Sequence, residues 1–194
     1  MKQFEGFKSE ASGSSYPMLP VGAYVCEIKN VKIDGTEPDQ QLILRLDIVE
    51  GEHTGYYTAR YNHDAGFAKQ NNYHTKFKGD FKVQIPNSEN TKREHPEWDI
   101  KAFNNMVYCV EQSNEGYKWN WDEKTLKGKM VGINVRAGTY NGNPYTQIGK
   151  LETVKDVRDG VVKPMKPKPD SNPPAPAIDA PSGFAVVDTE ELPF

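Results

Sequence analysis

A regular alternation of apolar and polar side chains marks residues 41–49 of the chain. This period of two is that of a β-strand with one face on a core. The apolar face consists of Leu42, Leu44, Leu46 and Ile48. Residues 22–33 alternate in the same way after Pro20, and turn residues at 35–38 separate the two stretches. The pattern therefore predicts two consecutive strands joined by a turn.

Residues 56–62 are rich in aromatic side chains, which favour extended structure. They are predicted as a third strand, antiparallel to the second. The following residues, 63–97, are polar and contain repeated Gly, Asn and Pro breakers. This segment is predicted as a long insertion with little regular structure.

One amphipathic helix is predicted after the insertion. Pro96 opens it, because proline is tolerated in the first helical turn. Its apolar face consists of Ile100, Phe103, Val107 and Val110. Beyond it, alternation over 131–135 and again over 145–154 flanks Asn141-Gly142, a favoured two-residue hairpin turn. A closing β-hairpin is therefore expected.

Three strands, a helix and two further strands follow the order of a five-stranded OB-fold barrel. The predicted class is mainly β, with the helix between strands 3 and 4. A β-grasp or an open α+β sheet gives a similar order of elements, and both remain alternatives.

The chain divides into four parts. Residues 1–18 are expected to be loose, and 19–159 form the OB-fold domain. Residues 160–183 carry seven prolines and few large apolar side chains, which predicts a linker that cannot bury a core. Residues 184–194 form an acidic tip, and the tail as a whole is expected to be disordered.

The net charge of −3 and the pI near 5.8 are not those of a generic polyanion binder. Residues 1–160 hold 21 cations and 22 acids, whereas 169–194 hold five acids and no cation. The acidity is therefore concentrated in the tail, and a nearly neutral domain can still carry a basic groove.

No apolar run reaches the roughly 20 residues of a membrane helix or resembles a secretory signal, so a cytoplasmic location without membrane contact is expected.

The sequence offers little chemistry for catalysis. Cys26 and Cys109 are too few and too far apart for a disulfide framework or a zinc site. No catalytic or phosphate-loop motif is present. His63, His74 and His95 are spaced irregularly and are expected to be solvated surface rather than metal ligands. No enzyme activity, catalytic residue, metal or cofactor is predicted.

The sequence fits binding of a single-stranded nucleic acid better than catalysis. In such proteins aromatic rings stack on bases and cations contact phosphates. Polar positions of the strands and aromatic residues of the turns supply both types. The candidate nucleic-acid-binding residues are Arg45, Tyr57, Arg60, Tyr61, Lys78, Lys82, Arg136, Tyr140 and Tyr145. Residues 73–82 also interleave aromatic and basic side chains, although those aromatics could equally anchor a long loop.

The chain closes on an acidic run followed by Leu-Pro-Phe. Proline stiffens this end, and a hydrophobic pocket with a basic rim could capture it. The candidate partner-binding residues are Asp188, Glu190, Glu191, Leu192, Pro193 and Phe194. This end resembles the C-terminal tip of bacterial single-stranded DNA-binding proteins. A plain acidic solubilising tail is the alternative.

Residues 126–135 with Tyr140-Asn141-Gly142-Asn143 are similar to the last hairpin of a phage and mobile-element family of single-stranded DNA-binding proteins. The resemblance implies sequence-tolerant binding of single-stranded DNA during replication or recombination, with the tip recruiting replication, recombination or repair proteins. It does not fix the oligomeric state, and a homo-oligomer remains compatible. An OB-fold adaptor or structural protein that binds another protein is the alternative function.

Overall fold

The fold is taken from a computed structural model, which describes residues 16–70, 74–87 and 95–170. This part of the chain folds into five strands, three α-helices and one short 3-10 helix. In chain order they are β1 (Gly22–Asp34), β2 (Gln41–Ile48), α1 (Tyr56–Gln70), β3 (Asp80–Gln84), α2 (Pro96–Ser113), a short 3-10 helix (Glu123–Leu126), β4 (Met130–Tyr140), β5 (Asn143–Glu152) and α3 (Val154–Arg158).

The strands form one antiparallel sheet in the order β3-β2-β1-β4-β5. The series β4-β1-β2-β3 is the spatial order of a Greek key. Within the described residues no ladder joins the edge strands β3 and β5, so the sheet is open. Helix α2 contacts β3, β4 and β5, which places it against both edges of a curled sheet.

The core lies between the sheet and α2. The period-two face of β2 is confirmed, because each of its four apolar side chains is at most 1% exposed. Phe103, Met106 and Val110 of α2 pack in the same cluster. Burial of one such side chain contributes roughly 1.5–3 kcal/mol, so this shared cluster is a main source of stability for the packing of α2 on the sheet.

The prediction of a third strand at 56–62 is wrong, because these residues begin α1. Asp47, buried on the other face of β2, supplies the cap of this helix. Its Oδ1 accepts the Tyr57 N–H at 3.0 Å and its Oδ2 accepts the Thr58 N–H at 3.3 Å. The Thr58 hydroxyl donates to the same Oδ2. A carboxylate that accepts the first free N–H groups of a helix also complements its dipole.

The third strand is instead β3, which pairs with β2 over 80–84. The prediction of little regular structure over 63–97 is therefore also wrong, since this range holds β3, most of α1 and the start of α2. A side-chain cap from the preceding strand, Asp47 of β2, overrode the extended propensity of the aromatic residues. No short-range pattern carries that information.

The predicted helix and hairpin are confirmed as α2 and β4–β5. Asn141 and Gly142 both have positive φ, 51° and 75°, as a two-residue hairpin turn requires. The hairpin extends beyond β1, whose pairing with β4 ends at Gly22 opposite Val135. The outer half of β4, residues 136–140, therefore has no β1 partner, although β1 pairs with the same edge of β4 over residues 130–135.

Residues 161–170, predicted as the start of the linker, lie along this outer half of β4. The Asn134 side-chain amide donates to the Lys163 carbonyl at 3.0 Å, and the Lys168 N–H donates to the Ala137 carbonyl at 2.9 Å. Asp170 accepts the Gly142 N–H at 3.0 Å.

No helix in the described ranges is long and apolar enough to span a bilayer.

Replacement of Asp47 by Ala should lower the free energy of unfolding by about 2–4 kcal/mol, because it removes a helix cap and leaves buried N–H groups unpaired. Urea denaturation followed by circular dichroism measures this. The matched control is Glu115→Ala, which removes an exposed carboxylate and should change stability by less than about 0.5 kcal/mol. Equal stability of the two variants would contradict the capping role.

Candidate nucleic-acid interface

A groove of about 510 Å³ runs over the outer face of β1, β2 and β3. The strand register builds its floor in rows. Lys32, Ile43 and Lys82 are cross-strand neighbours in one row, and Asn30, Arg45 and Asp80 form the next. Residues 75–78 and Tyr61 of α1 complete the wall.

The groove is basic although the whole chain is acidic. Its lining cations are Lys32, Arg45, Lys76, Lys78 and Lys82. Two carboxylates, Asp34 and Asp80, also line it, so five cations minus two acids leave a formal charge of +3. Among the described residues no carboxylate lies within ion-pair distance of the three lysines at 76, 78 and 82. Their charges face solvent, as all three are exposed.

Arg45 has a different role from these lysines. Its Nε and Nη2 donate to the two oxygens of Asp80 at 2.9 and 3.1 Å. The guanidinium lies 4.6 Å from the centre of the Phe77 ring. The hydrogen bond to Asp80 raises the pKa of Arg45. Because its charge is already paired, Arg45 mainly fixes the Phe77 ring at the floor of the groove.

Tyr61 comes from α1 and meets the same ring. The centres of the Tyr61 and Phe77 rings are 5.7 Å apart, with the planes tilted by 50°. Tyr61 is 38% exposed, so part of its ring remains open to a ligand. The Asp47 cap sets the start of α1 and with it the position of Tyr61 over the groove.

Gly79 allows this close approach. A Cβ at this position would lie 2.4 Å from the Leu46 carbonyl oxygen, 2.7 Å from the Tyr57 ring and 2.8 Å from the Phe77 ring. The Gly79 carbonyl accepts the Leu46 N–H at 2.9 Å. Glycine is therefore required where the 75–79 segment turns into β3 beside Phe77.

A second polar and aromatic surface lies on the β4–β5 hairpin, at the far end of the same face of the sheet. Alternation places Arg136 and Tyr140 on this face, together with Tyr145, which pairs with Gly138. The Tyr145 ring lies flat over Gly138, where a Cβ would come within 2.6 Å of it. With the Gln147 amide oxygen turned toward Arg136, the Nε and Nη2 atoms of Arg136 are each 3.2 Å from it.

Two of the candidate nucleic-acid-binding residues, Tyr57 and Arg60, were placed on a predicted strand but lie on α1, away from the open part of the groove. Tyr57 is 4% exposed and packs in the core, and this burial raises the pKa of its hydroxyl. Arg60 is half-buried on α1, where its Nη1 donates to the Tyr56 hydroxyl at 3.3 Å. Tyr57 and Tyr61 are about one helical turn apart on the same side of α1, and both rings approach Phe77, but only Tyr61 is exposed.

The structure thus brings Arg45, Tyr61, Lys78 and Lys82 together in one groove. It places Arg136, Tyr140 and Tyr145 on the hairpin surface. The six candidate residues of the tip, 188 and 190–194, lie outside the described residues. Within the described part of the chain, no three His, Cys, Asp or Glu side chains come together as a metal site would require.

Three groove residues were not identified from the sequence. Lys32 was missed, although its position on the alternating outer face of β1 was a usable signal. Lys76 and Phe77 belong to the interleaved 73–82 segment, but a segment predicted as irregular gave no reason to place them on the sheet. Only the pairing of β3 with β2 brings them to the groove.

Comparison of the chain with protein-family models and with curated proteins gives no match.

Replacement of Gly79 by Ala should destabilise the protein by about 1–3 kcal/mol, the range for forced overpacking. Thermal and urea denaturation measure it. Gly66→Ala is the matched control, because its Cβ meets nothing within 4 Å inside α1. Alanine there should stabilise the helix by up to about 1 kcal/mol. Destabilisation of both variants alike would contradict the steric argument.

Proposed function

We propose that the protein binds single-stranded DNA in the groove over β1, β2 and β3, with little dependence on base sequence. The observation that carries the proposal is the arrangement of exposed lysines around two aromatic rings. Lys76, Lys78 and Lys82 are placed to follow phosphates. Tyr61 and the Arg45-supported Phe77 ring offer stacking surfaces for bases.

The groove chemistry favours tolerance of sequence. Lysine is a flexible point charge that neutralises a phosphate whatever base it carries. Aromatic rings stack on every base, with roughly 1–3 kcal/mol per stacked base. The one rigid, fork-shaped donor of the groove, Arg45, is occupied by Asp80, so it is not available to read base edges in pairs of hydrogen bonds.

The sheet order supports assignment to the OB-fold. An OB-fold is a partly open five-stranded Greek-key barrel that binds oligonucleotides on its second and third strands. Here the groove lies on β2 and β3 and is flanked by β1. Helix α2, which contacts both edge strands, would close the barrel where the β3–β5 ladder is missing.

The biological role follows from the resemblances of the hairpin and the tip. We place the protein in the cytoplasm, in phage or mobile-element replication and recombination, without catalytic activity of its own. The acidic Leu-Pro-Phe end would recruit replication, recombination or repair proteins. Self-association remains compatible with this role and is not required by it.

The groove lysines should set both the affinity and its dependence on salt. Lys76/Lys78/Lys82→Ala removes the three exposed lysines proposed to follow phosphates and should weaken binding of fluorescein-labelled oligo-dT. The slope of log K against log salt should become shallower by about 2, at roughly 0.7 for each lost phosphate contact. Fluorescence anisotropy at several salt concentrations measures both quantities.

The matched control is Lys101/Lys124/Lys127→Ala, which removes three exposed lysines elsewhere and should leave the slope unchanged. Tyr61→Ala should weaken binding by about 5- to 150-fold if it removes one stacked base, whereas Tyr61→Phe should retain most of the affinity. Equal slopes for the groove and control variants would refute the proposal.

The same titration distinguishes the alternative. An adaptor or structural protein that binds another protein should give no anisotropy change with oligo-dT, oligo-U or duplex DNA at low salt. Tighter binding of oligo-dT than of either competitor supports the proposed preference for single-stranded DNA. Equal binding of duplex would point to general polyanion attraction instead.

The tip should act independently of the groove. Deletion of residues 192–194 should abolish capture of replication or recombination proteins, because it removes the apolar anchor that a partner pocket would hold. Affinity for oligo-dT should stay the same or rise, since the tail is anionic. The control is deletion of 184–186, which spares the Leu-Pro-Phe end. Unchanged capture after loss of 192–194 would remove the recruitment role.

A further inference from the structure

A basic segment, residues 163–168, is fixed against the hairpin surface, and the proposed function does not account for it. We call it the strap. It contains Lys163, Lys166 and Lys168 and no acid, and all three lysines are exposed. The strap runs in the same direction as β4, from the side chain of Asn134 to a parallel bridge between Lys168 and Gly138.

Its backbone is suited to this position. Prolines at 164 and 167 restrict φ and lack an N–H, so the strap is extended and pairs with β4 mainly through the Lys168 N–H. Met165 packs beside Gly149 and the Arg136 side chain. Segments fixed in advance lose little conformational freedom on binding a ligand, which distinguishes these lysines from cations on a free linker.

The strap adds its cations to aromatic residues already present on the hairpin. Tyr140 is 54% exposed at the end of β4. Arg136 lies four residues before it on β4, and Lys150 of β5 pairs with Asn134 at the start of the strap. The acids nearby are engaged. Glu152 accepts from Lys150 at 3.2 Å and from Asn134 at 3.3 Å, and Asp170, just beyond the strap, accepts from Gly142.

The geometry points to a second phosphate-binding surface, formed by the strap and the β4–β5 hairpin, for the same single strand that enters the groove. This inference rests on the proposed function. The two surfaces share one face of the sheet and are joined by β1, from Lys32 to Gly22. At about 3.3 Å per residue these positions are at most about 33 Å apart. Helix α3, with Arg158 paired to Glu50, lies between them.

The test compares oligonucleotides of two lengths on the full chain. Lys163/Lys166/Lys168→Ala keeps the backbone bond to Ala137 and removes only charge. With oligo-dT of about 25 nucleotides, longer than the 4–16 covered by one OB-fold, its salt slope should be shallower by about 2. With about 5 nucleotides, affinity and slope should match those of the unmodified protein.

The controls are the groove variant and Lys101/Lys124/Lys127→Ala, which remove the same number of charges. Unmodified affinity and slope for the strap variant at both lengths, with loss for the groove variant, would overturn this inference and leave the proposed function standing. Unmodified binding by both variants would overturn the two together. Equal loss at both lengths would also overturn the inference, since it would reflect the overall charge and not a longer contact.

Discussion

The buried carboxylate of Asp47 is the constraint on which the rest of the groove depends. It sits on the outer face of β2, directly behind the core, and accepts the first N–H groups of α1. Without that acceptor, the N–H groups of Tyr57 and Thr58 would lose their partner, and the extended propensity of the aromatic run at 56–62 would be opposed less strongly. With it, the chain enters a helix that carries Tyr61 to the groove and buries Tyr57 in the core.

The groove combines two kinds of positive charge that serve different ends. Arg45 is held by Asp80 and by the Phe77 ring, so it fixes the geometry of the groove more than it attracts an anionic ligand. The lysines around it are exposed, and each carries its charge at the end of a flexible side chain, which suits a ligand with a repeating charged backbone. An acidic protein can therefore present a basic track, because the counter-charges lie elsewhere in the fold and in the tail.

Sequence periodicity identified the features that depend on local pattern. It located β1, β2, α2 and the β4–β5 hairpin, as well as the apolar face of β2 and the outward position of Arg45. Residue type alone selected Tyr61, Lys78 and Lys82, and Tyr61 was placed on a strand that is a helix. It failed where a contact between two secondary-structure elements decides the outcome. The start of α1 depends on Asp47 nine residues earlier, and β3 is a short strand whose pattern is recognisable only beside its partner β2. Proline content likewise suggested a linker for the strap, although hydrogen bonds at the backbone of Lys163 and Lys168 and the packing of Met165 hold it against the open side of β4.

The strap also has a consequence for the integrity of the sheet. An unpaired stretch of strand backbone is a template for association with other chains. Beyond Gly22, β4 would present such a stretch over 136–139, and the Lys168 N–H covers part of it. A shortened protein that stops at the end of α3 would expose this stretch, so the boundary of a stable recombinant domain lies after residue 170 and not at 159.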